Sequence, residues 1–280
     1  MPIPFYIFFE LFPCFCCRKV PYCIAVDKPR ALPVGIILMQ VKCPQFSENP
    51  KEALRFFHEN GYAVEYGVWT KGECAALRDE AAKIAPQGIY LPLMQPHEES
   101  RLFLSSLAKP SLVGILEQLV GGKISGIQSQ FFFCRPGTRG FSMHQDNWYV
   151  EAPQEAFASA WSALEDVDQK NGALVVYPRT HLDGLFPVHE TKVQIDDPGQ
   201  DPNAYSRELE LPEKFDPKGM TLEVPRGATV FLHANTVHSS HSNTTDNRSR
   251  NVLLMTYVRQ GVPFRPGTKM RRREINVYEI

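Results

Sequence analysis

The chain has 280 residues, of which 43% are hydrophobic and 22% are charged, as expected for a globular protein with a substantial core. The formal net charge of −1 and the sequence pI of about 6.7 favour neither nucleic acid nor an anionic membrane surface as a partner. The basic cluster at residues 269–273 is interpreted as a solvent-exposed segment without a function of its own.

Seven cysteines are unevenly distributed along the chain, and four of them lie close to the N-terminus. An odd number without regular spacing does not match a disulfide framework, which favours an intracellular, cytoplasmic location. The histidines and cysteines around the N-terminal group do not have the spacing of a zinc site. The four N-terminal cysteines are Cys14, Cys16, Cys17 and Cys23.

Residues 1–45 are apolar, rich in cysteine and interrupted by proline, and are predicted to form a poorly structured extension. Neither of the two apolar runs in this segment reaches the roughly 20 residues that span a bilayer, and no basic segment precedes the first run. Two alternatives remain open. Acylation of the cysteines beside Arg18 and Lys19 would anchor the chain to a membrane, and Met39 would be an alternative start.

Three helices are predicted before the sequence becomes extended. The first follows Ser47 as its capping residue and ends at Gly61, and the second follows Thr70 and ends before Pro86. The third ends at Gly121, where two glycines terminate the helical pattern. These three helices form an N-terminal helical preface.

Residues after the third helix are rich in Val, Phe, Tyr and Thr and are punctuated by turn residues, which predicts a succession of strands. Strands without helices between them indicate a mainly β (α+β) fold with flanking helices, best described as a jelly-roll, cupin-like barrel. Residues 46–280 would form this single domain, with an irregular segment at 183–219 as a candidate lid. The predicted strands lie in SGIQSQFFFCRPG, HQDNWYVEA, AFASAWSALEDV, GALVVYP, GMTLEVPRGATVFLHANTVHSS and RNVLLMTYVRQ.

A histidine and a carboxylate stand two positions apart at His144 and Asp146, inside the predicted strand HQDNWYVEA. In a β-strand residues i and i+2 face the same side, so these two side chains would lie together. His233, His238 and His241, near the end of a later strand, are candidates for a third ligand. Two histidines and one carboxylate with open coordination positions form the facial triad of non-haem Fe(II) oxygenases.

The open positions of such a triad suit a keto acid, which chelates the metal through two of them and leaves one for dioxygen. The distal carboxylate of the keto acid then needs a buried partner, and the planar guanidinium of arginine matches it. Arg248 and Arg250 follow the histidines, and Ser240 would share a strand face with His238.

The order of these motifs resembles the phytanoyl-CoA dioxygenase family of Fe(II)- and 2-oxoglutarate-dependent oxygenases, which includes ectoine hydroxylase. The likeness extends over about residues 50–260 and rests on HQD before an aromatic run, SAWSALEDVDQKNGALVVYPRTH, and VHSSHSN followed by RSRNVLLMTY. It implies a double-stranded β-helix fold and hydroxylation of a small organic molecule with release of succinate and CO2. Fe(II), 2-oxoglutarate and O2 are the implied metal and cosubstrates.

The resemblance also implies roles for individual residues. His144, Asp146 and His238 correspond to the metal ligands, the last because Ser240 and Asn243 follow it as in the family pattern H-x-S-x-x-N. The 2-oxoglutarate arginine corresponds to Arg250 by its distance to Tyr257, with Arg248 as the alternative by its distance to the histidine. Further cosubstrate contacts are implied for Ser240, Trp161 and Gln145, and substrate contacts are predicted for Arg139, Trp148 and Tyr149.

Asp146 also bears on the type of reaction. Halogenating relatives have a small residue in place of this carboxylate, so its presence favours hydroxylation. Two alternatives remain open: a cupin-like barrel that uses another metal, and a catalytically silent barrel that binds a ligand. The expected partner is a small-molecule substrate, and the expected assembly is a monomer or a homodimer.

Overall fold

The structure is a computed structural model that describes residues 43–85, 92–190, 207–267 and 271–280. The four N-terminal cysteines, Met39 and the middle of the predicted lid lie outside these residues. The last part of the predicted extension belongs to the folded domain, since the Gln45 side chain donates to the Val64 carbonyl at 2.8 Å and accepts from the Tyr66 amide at 2.9 Å. Gln45 is therefore in contact with the strand Tyr62–Glu65 and the residue after it.

The three predicted helices are confirmed, and two shorter ones were not predicted. The first helix is capped by Asn49 in place of Ser47, while Thr70 and Glu73 form the capping box of the second. No helix in the described part of the chain is long and apolar enough to cross a bilayer. The α-helices of the described residues are α1 (Pro50–Asn60), α2 (Lys71–Ile84), α3 (Arg101–Leu107), α4 (Pro110–Val120) and α5 (Asn147–Val150).

Twelve strands are present in the described residues, all paired antiparallel. They are β1 (Tyr62–Glu65), β2 (Leu93–Met94), β3 (Ile124–Cys134), β4 (Phe157–Ala163), β5 (Leu174–Val176), β6 (Val188–Glu190), β7 (Arg207–Leu209), β8 (Met220–Leu222), β9 (Thr229–His233), β10 (His238–Ser240), β11 (Arg250–Arg259) and β12 (Ile275–Asn276). Strands β6 and β7 pair within the segment that was predicted to be irregular.

Two sheets form the barrel. The large sheet has the order β1-β9-β4-β11-β3-β12, with β2 also on β3, and the small sheet has the order β10-β5-β8. Apolar side chains from both sheets, including Trp161 and Val230 of the large sheet and Val176 and Leu222 of the small one, form one buried cluster between them. Two facing antiparallel sheets with the core between them are the architecture of the double-stranded β-helix, as predicted.

Helices α1 to α4 cover the outer face of the large sheet. Phe57 of α1, Leu77 of α2 and Leu116 of α4 pack in one cluster with Phe131 of β3 and Tyr257 of β11. The amphipathic pattern of the helical preface therefore matches the outward-facing apolar residues of the strands. This outer layer leaves the inner face of the large sheet to the candidate site.

The prediction of a strand over HQDNWYVEA is wrong. Only His144 makes a single bridge, to His238, and the chain then turns into α5. The Asn147 side chain closes this turn, because its amide donates to the Ala152 carbonyl and its oxygen accepts from the Ala152 amide, both at 3.0 Å. These local side-chain bonds compete successfully with the extended conformation that the aromatic residues favour.

Candidate metal centre

Three predicted ligands converge where the chain passes from the small sheet to α5. The His144 and His238 backbones exchange two hydrogen bonds of 3.0 Å, which places the two imidazole rings 4.2 Å apart between centroids. Asp146 lies at the start of α5, and its Oδ1 is 3.7 Å from His144 Nε2 and 3.6 Å from His238 Nε2. One ligand atom from each side chain falls within 4.8 Å of the others, and this is the one such group of at least three residues in the described ranges.

Both histidines are oriented by backbone carbonyl groups. His144 Nδ1 lies 2.8 Å from the Ser142 carbonyl oxygen, and His238 Nδ1 lies 3.0 Å from that of Thr236. Because a carbonyl oxygen only accepts, each Nδ1 carries the proton and each Nε2 presents its lone pair. This is the tautomer that a histidine needs to bind a metal through Nε2.

Asp146 is held by a serine on the neighbouring strand. The hydroxyl of Ser159 donates to Asp146 Oδ2 at 2.6 Å, which leaves Oδ1 directed at the two histidines. Burial alone would raise the pKa of Asp146, but His238, His144, this hydrogen bond and the charge of Arg272 together lower it. The carboxylate is thus ionised, as a metal ligand must be.

The His144 imidazole stays neutral for a related reason. Burial and the neighbouring His238 lower the pKa of His144 to about 4, against the opposing charge of Asp146. A neutral imidazole beside an ionised carboxylate is the donor set of the non-haem iron triad, so these residues fit such a metal.

Arg250 stands at the start of β11 with its guanidinium buried. The residue is 3% exposed, and its Nε has no hydrogen-bond partner among the described residues. The guanidinium carbon lies 5.8 Å from the centroid of the Trp161 ring, and Gly172 leaves room beside it, since a Cβ there would be 3.3 Å from Nε. A buried cation without an anion is costly, which indicates a place for an acidic ligand.

Arg248, the alternative to Arg250, is already paired. Its two terminal nitrogens donate to the two carboxylate oxygens of Asp168 at 2.6 and 2.8 Å. This bidentate pair ties the start of β11 to the turn before β5. Of the two arginines that spacing alone leaves as alternatives, Arg248 is the one with an ion-pair partner among the described residues.

Ser240 and Asn243 hold the segment that follows His238. The Ser240 hydroxyl accepts from the Phe141 amide at 2.9 Å, and a Cβ on Gly140 would lie 1.9 Å from the Ser240 carbonyl, so only glycine permits this approach. The Asn243 amide donates to the carbonyls of Cys134 and Arg248 at 3.0 and 2.7 Å. Asn243 thus fixes the turn that leads to Arg250.

Gln145 points away from the space between the metal ligands. Its amide nitrogen donates to the carbonyls of Gly184 and Asn235, both at 2.7 Å, and its oxygen accepts from the Phe186 amide at 2.8 Å. Both N–H groups are used, so the predicted cosubstrate contact has no donor left. Through these hydrogen bonds, Gln145 joins the loops that contain Gly184 and Asn235 next to the bridge at His144.

The predicted substrate residues lie at different places. Trp148 and Tyr149 are on α5, directly after the metal ligand Asp146, with their rings 5.6 Å apart. Arg139 is an exposed residue of the loop before His144. The structure therefore places the two aromatic residues on α5, directly after Asp146 and Asn147, and Arg139 on the surface of the adjoining loop.

Two residues near the site were not identified from the sequence. Ser159 shares a strand face with Trp161, and this two-residue spacing was the signal that could have revealed it. Arg272 lies in the basic cluster, which was predicted to be solvent-exposed, yet it is half-buried and donates to the Tyr149 carbonyl at 3.2 Å. That prediction is wrong for Arg272, because the C-terminal segment folds back onto α5.

The sequence profile of the phytanoyl-CoA dioxygenase (PhyH) family matches residues 57–252, more than half of the chain and all three ligands. The chain belongs to the phytanoyl-CoA dioxygenase family. Peroxisomal phytanoyl-CoA dioxygenase of Mus musculus is 25% identical over 225 residues, which cover 69% of this chain and 64% of that protein. A Danio rerio phytanoyl-CoA dioxygenase domain-containing protein is 28% identical, over 70% of this chain and 62% of its own. The chain thus spans slightly less than two thirds of these relatives.

Solved structures of similar fold confirm the predicted architecture. The non-haem α-ketoglutarate-dependent carbocyclase SnoK from nogalamycin biosynthesis superposes with a TM-score of 0.61 at 22% identity, covering 82% of this chain and 91% of its own. The epimerase SnoN, solved with Fe3+, α-ketoglutarate and nogalamycin RO, gives a TM-score of 0.60 at 18% identity, covering 81% and 94%. At these identities the likeness establishes the double-stranded β-helix fold.

Proposed function

We propose that this chain is an Fe(II)- and 2-oxoglutarate-dependent dioxygenase that hydroxylates a small organic molecule. The observation that carries the proposal is the convergence of His144, Asp146 and His238, with one ligand atom from each within 4.8 Å. When bound, iron and 2-oxoglutarate would supply the oxidation of a C–H bond by O2, with release of succinate and carbon dioxide.

The protein's own contribution is orientation and charge. His144 and His238 would hold the metal through Nε2, since their Nδ1 protons are bound to backbone carbonyls. Asp146 would bind it through Oδ1, because Oδ2 is taken by Ser159. The presence of this carboxylate supports hydroxylation over halogenation, the reaction of relatives that lack it.

Arg250 is proposed to pair with the distal carboxylate of 2-oxoglutarate, beside the ring of Trp161. Its guanidinium is buried and lacks a partner for Nε within the described residues, whereas Arg248 is held by Asp168. We assign Ser240 a supporting place in the same site, because it follows His238 on β10. A catalytically silent barrel would gain nothing from keeping a buried, unpaired guanidinium next to a ready metal site.

The test is an anaerobic titration with Fe(II) and then 2-oxoglutarate, observed through the visible metal-to-ligand charge-transfer band. The band is expected in the wild type and is expected to be lost in Asp146→Ala. Arg250→Gln should need roughly 10 to 100 times more 2-oxoglutarate, as expected for loss of a charge-assisted pair.

Arg248→Gln is the matched control, since it removes the same charge two residues away. Its 2-oxoglutarate affinity should stay close to that of the wild type. A wild type without the band would contradict the proposal and favour a barrel that binds another metal or an unrelated ligand. An effect of Arg248→Gln larger than that of Arg250→Gln would reverse the assignment of the arginines.

A further inference from the structure

A row of polar side chains crosses the inner face of the large sheet next to the metal centre. In the strand register Gln128 of β3 lies opposite Thr256 of β11, which lies opposite Ser159 of β4. Each of the three is at most 5% exposed. Because the Ser159 hydroxyl holds Asp146, the row leads directly from the metal centre to Gln128.

Arg272 reaches the far end of this row from the C-terminal segment. Its Nε donates to Gln128 Oε1 at 2.5 Å, and its Nη1 donates to the carbonyls of Tyr149 and Arg265 at 3.2 and 3.3 Å. All three acceptors are neutral, and Arg272 forms no ion pair with a carboxylate of the described residues. A half-buried guanidinium is therefore fixed in place without a paired anion.

The row links Arg272 to the metal centre. Arg272 Nε contacts Gln128, which lies in register with Thr256 and, through it, with Ser159, and the Ser159 hydroxyl holds Asp146. An anion in front of the row would supply the negative charge that this guanidinium lacks among the described residues.

Three further donors of the row have no hydrogen-bond partner among the described residues. In the described part of the chain, neither the Gln128 amide nitrogen, the Thr256 hydroxyl nor Arg272 Nη2 makes a hydrogen bond. Since the Gln128 oxygen is taken by Arg272, its amide can offer only N–H groups to a ligand. A guanidinium, an amide and a hydroxyl, all donating from adjoining positions, suit an oxyanion.

This set of donors is separate from the arginine that we assign to 2-oxoglutarate. Arg250 pairs with Cys134 at one end of the β3–β11 ladder, and Thr256 pairs with Gln128 further along it. The six steps from Arg250 to Thr256 span about 20 Å of strand. The two arginines therefore serve different ends of the inner face.

We propose that Arg272, Gln128 and Thr256 bind a carboxylate of the substrate beside the metal centre. This inference rests on the proposed function for the reaction and names the class of substrate, a small carboxylic acid. A single guanidinium with neutral donors matches a monoanion. A phosphate dianion would place surplus negative charge close to Asp146 and is less suited to the row.

The experiment is a calorimetric titration of the metal-free full chain with hexanoate, in an Arg250→Gln background that removes the other buried guanidinium. Arg272→Gln should weaken hexanoate binding about 10-fold or more, the loss expected for a charge-assisted hydrogen bond. Arg271→Gln removes the same charge from the exposed neighbouring residue and should leave binding unchanged. Hexanamide, which has the same chain without the charge, should bind at least 10-fold more weakly than hexanoate.

Gln128→Leu and Thr256→Val provide a second route if Arg272→Gln does not fold. Each replaces one neutral donor with an apolar side chain of similar size. Each should weaken hexanoate binding several-fold, with little effect on the binding of hexanamide. Equal affinity of the Arg272→Gln and Arg271→Gln proteins for hexanoate would overturn the proposal, and so would equal binding of acid and amide. Inorganic phosphate that binds more tightly than hexanoate and displaces it would overturn the choice of a carboxylate.

The Fe(II) and 2-oxoglutarate titration separates this inference from the proposed function. Without a charge-transfer band in the wild type, but with hexanoate binding that depends on Arg272, the oxygenase proposal fails and the carboxylate site stands. With a normal band and hexanoate binding indifferent to Arg272, the oxygenase proposal stands and the carboxylate site fails.

Discussion

At the scale of single residues, function in this protein depends on which atom of each side chain is left free. His144 and His238 present Nε2 because carbonyl groups take the Nδ1 protons, and Asp146 presents Oδ1 because Ser159 takes Oδ2. The sequence could identify the ligands through their spacing and order. The serine that orients the carboxylate depends on a strand pairing that no motif describes.

Ser159→Ala tests this orientation. Without the hydroxyl, Asp146 Oδ2 loses its 2.6 Å hydrogen bond and the carboxylate is free to rotate. We expect divalent metal affinity to fall about 10-fold or more, as for other residues that orient metal ligands. The measurement is a competition titration with a chelator.

Ser105→Ala is the control, because Ser105 is an exposed serine of α3 whose hydroxyl donates to the Leu102 carbonyl, far from the metal ligands in the chain. Its metal affinity should equal that of the wild type. Unchanged affinity in Ser159→Ala would mean that Asp146 is oriented by the turn of α5 alone.

At the scale of secondary-structure elements, two turns position the site. The α5 turn after Asp146 is closed by Asn147, and the connection from β10 to β11 is closed by Asn243. Both were difficult to predict, because hydrophobic periodicity describes strands and helices, whereas a side-chain bond to a backbone group leaves only a weak local signal. HQDNWYVEA accordingly was predicted as a strand and is a helical turn.

Asn243→Ala should destabilise the protein and also weaken binding of 2-oxoglutarate. The buried side chain donates to Cys134 and Arg248 and accepts from the Thr245 amide and hydroxyl, so its removal leaves several backbone groups unpaired. We expect a loss of about 2 to 4 kcal/mol in the free energy of unfolding, measured by urea denaturation. The charge-transfer titration should show weaker 2-oxoglutarate binding in the protein that remains folded, because Arg250 begins the strand after this turn.

Asp246→Ala changes an exposed residue of the same turn and serves as the control. Its stability should lie within about 0.5 kcal/mol of the wild type. A stable Asn243→Ala protein with normal 2-oxoglutarate binding would show that β-sheet pairing alone places Arg250.

At the scale of the whole molecule, two sheets partly bury histidines that are neutral in the folded state. The pKa of His144 is lowered to about 4 by burial and by His238, and that of His233 to about 4 by burial and by His181. Unfolded histidines bind a proton near pH 6.5, so the unfolded state takes up more protons as the pH falls. Stability is therefore complete above about pH 6.5 and is lost as the pH falls towards 4.

Over this pH range, each of these two histidines can lower the free energy of unfolding by up to about 3 kcal/mol, which is a large part of the stability of a typical domain. We expect the free energy of unfolding of the metal-free protein to fall as the pH is lowered from about 6.5 to 4. His233→Gln should reduce the slope of this dependence on pH. Urea denaturation at a series of pH values measures the slope. His189→Gln, at a histidine whose side chain is 69% exposed, should leave the slope unchanged, and an unchanged slope in His233→Gln would contradict the prediction.

The sequence by itself determined the family, the barrel class, the helical preface and the three candidate ligands. These features follow from local periodicity and from the order of short motifs, which can be recognised without knowledge of long-range contacts. Metal ligands are also the residues whose chemistry admits few substitutes, so their types and spacing are informative.

Only the tertiary structure decided which residues surround those ligands. It shows Arg248 paired with Asp168, it directs Gln145 into the loops, and it brings Arg272 back to Gln128 from a segment predicted to be solvent-exposed. Each of these outcomes depends on contacts between residues far apart in the chain, where packing and unpaired charge select one partner among several. The sequence pattern alone does not show which partner is selected.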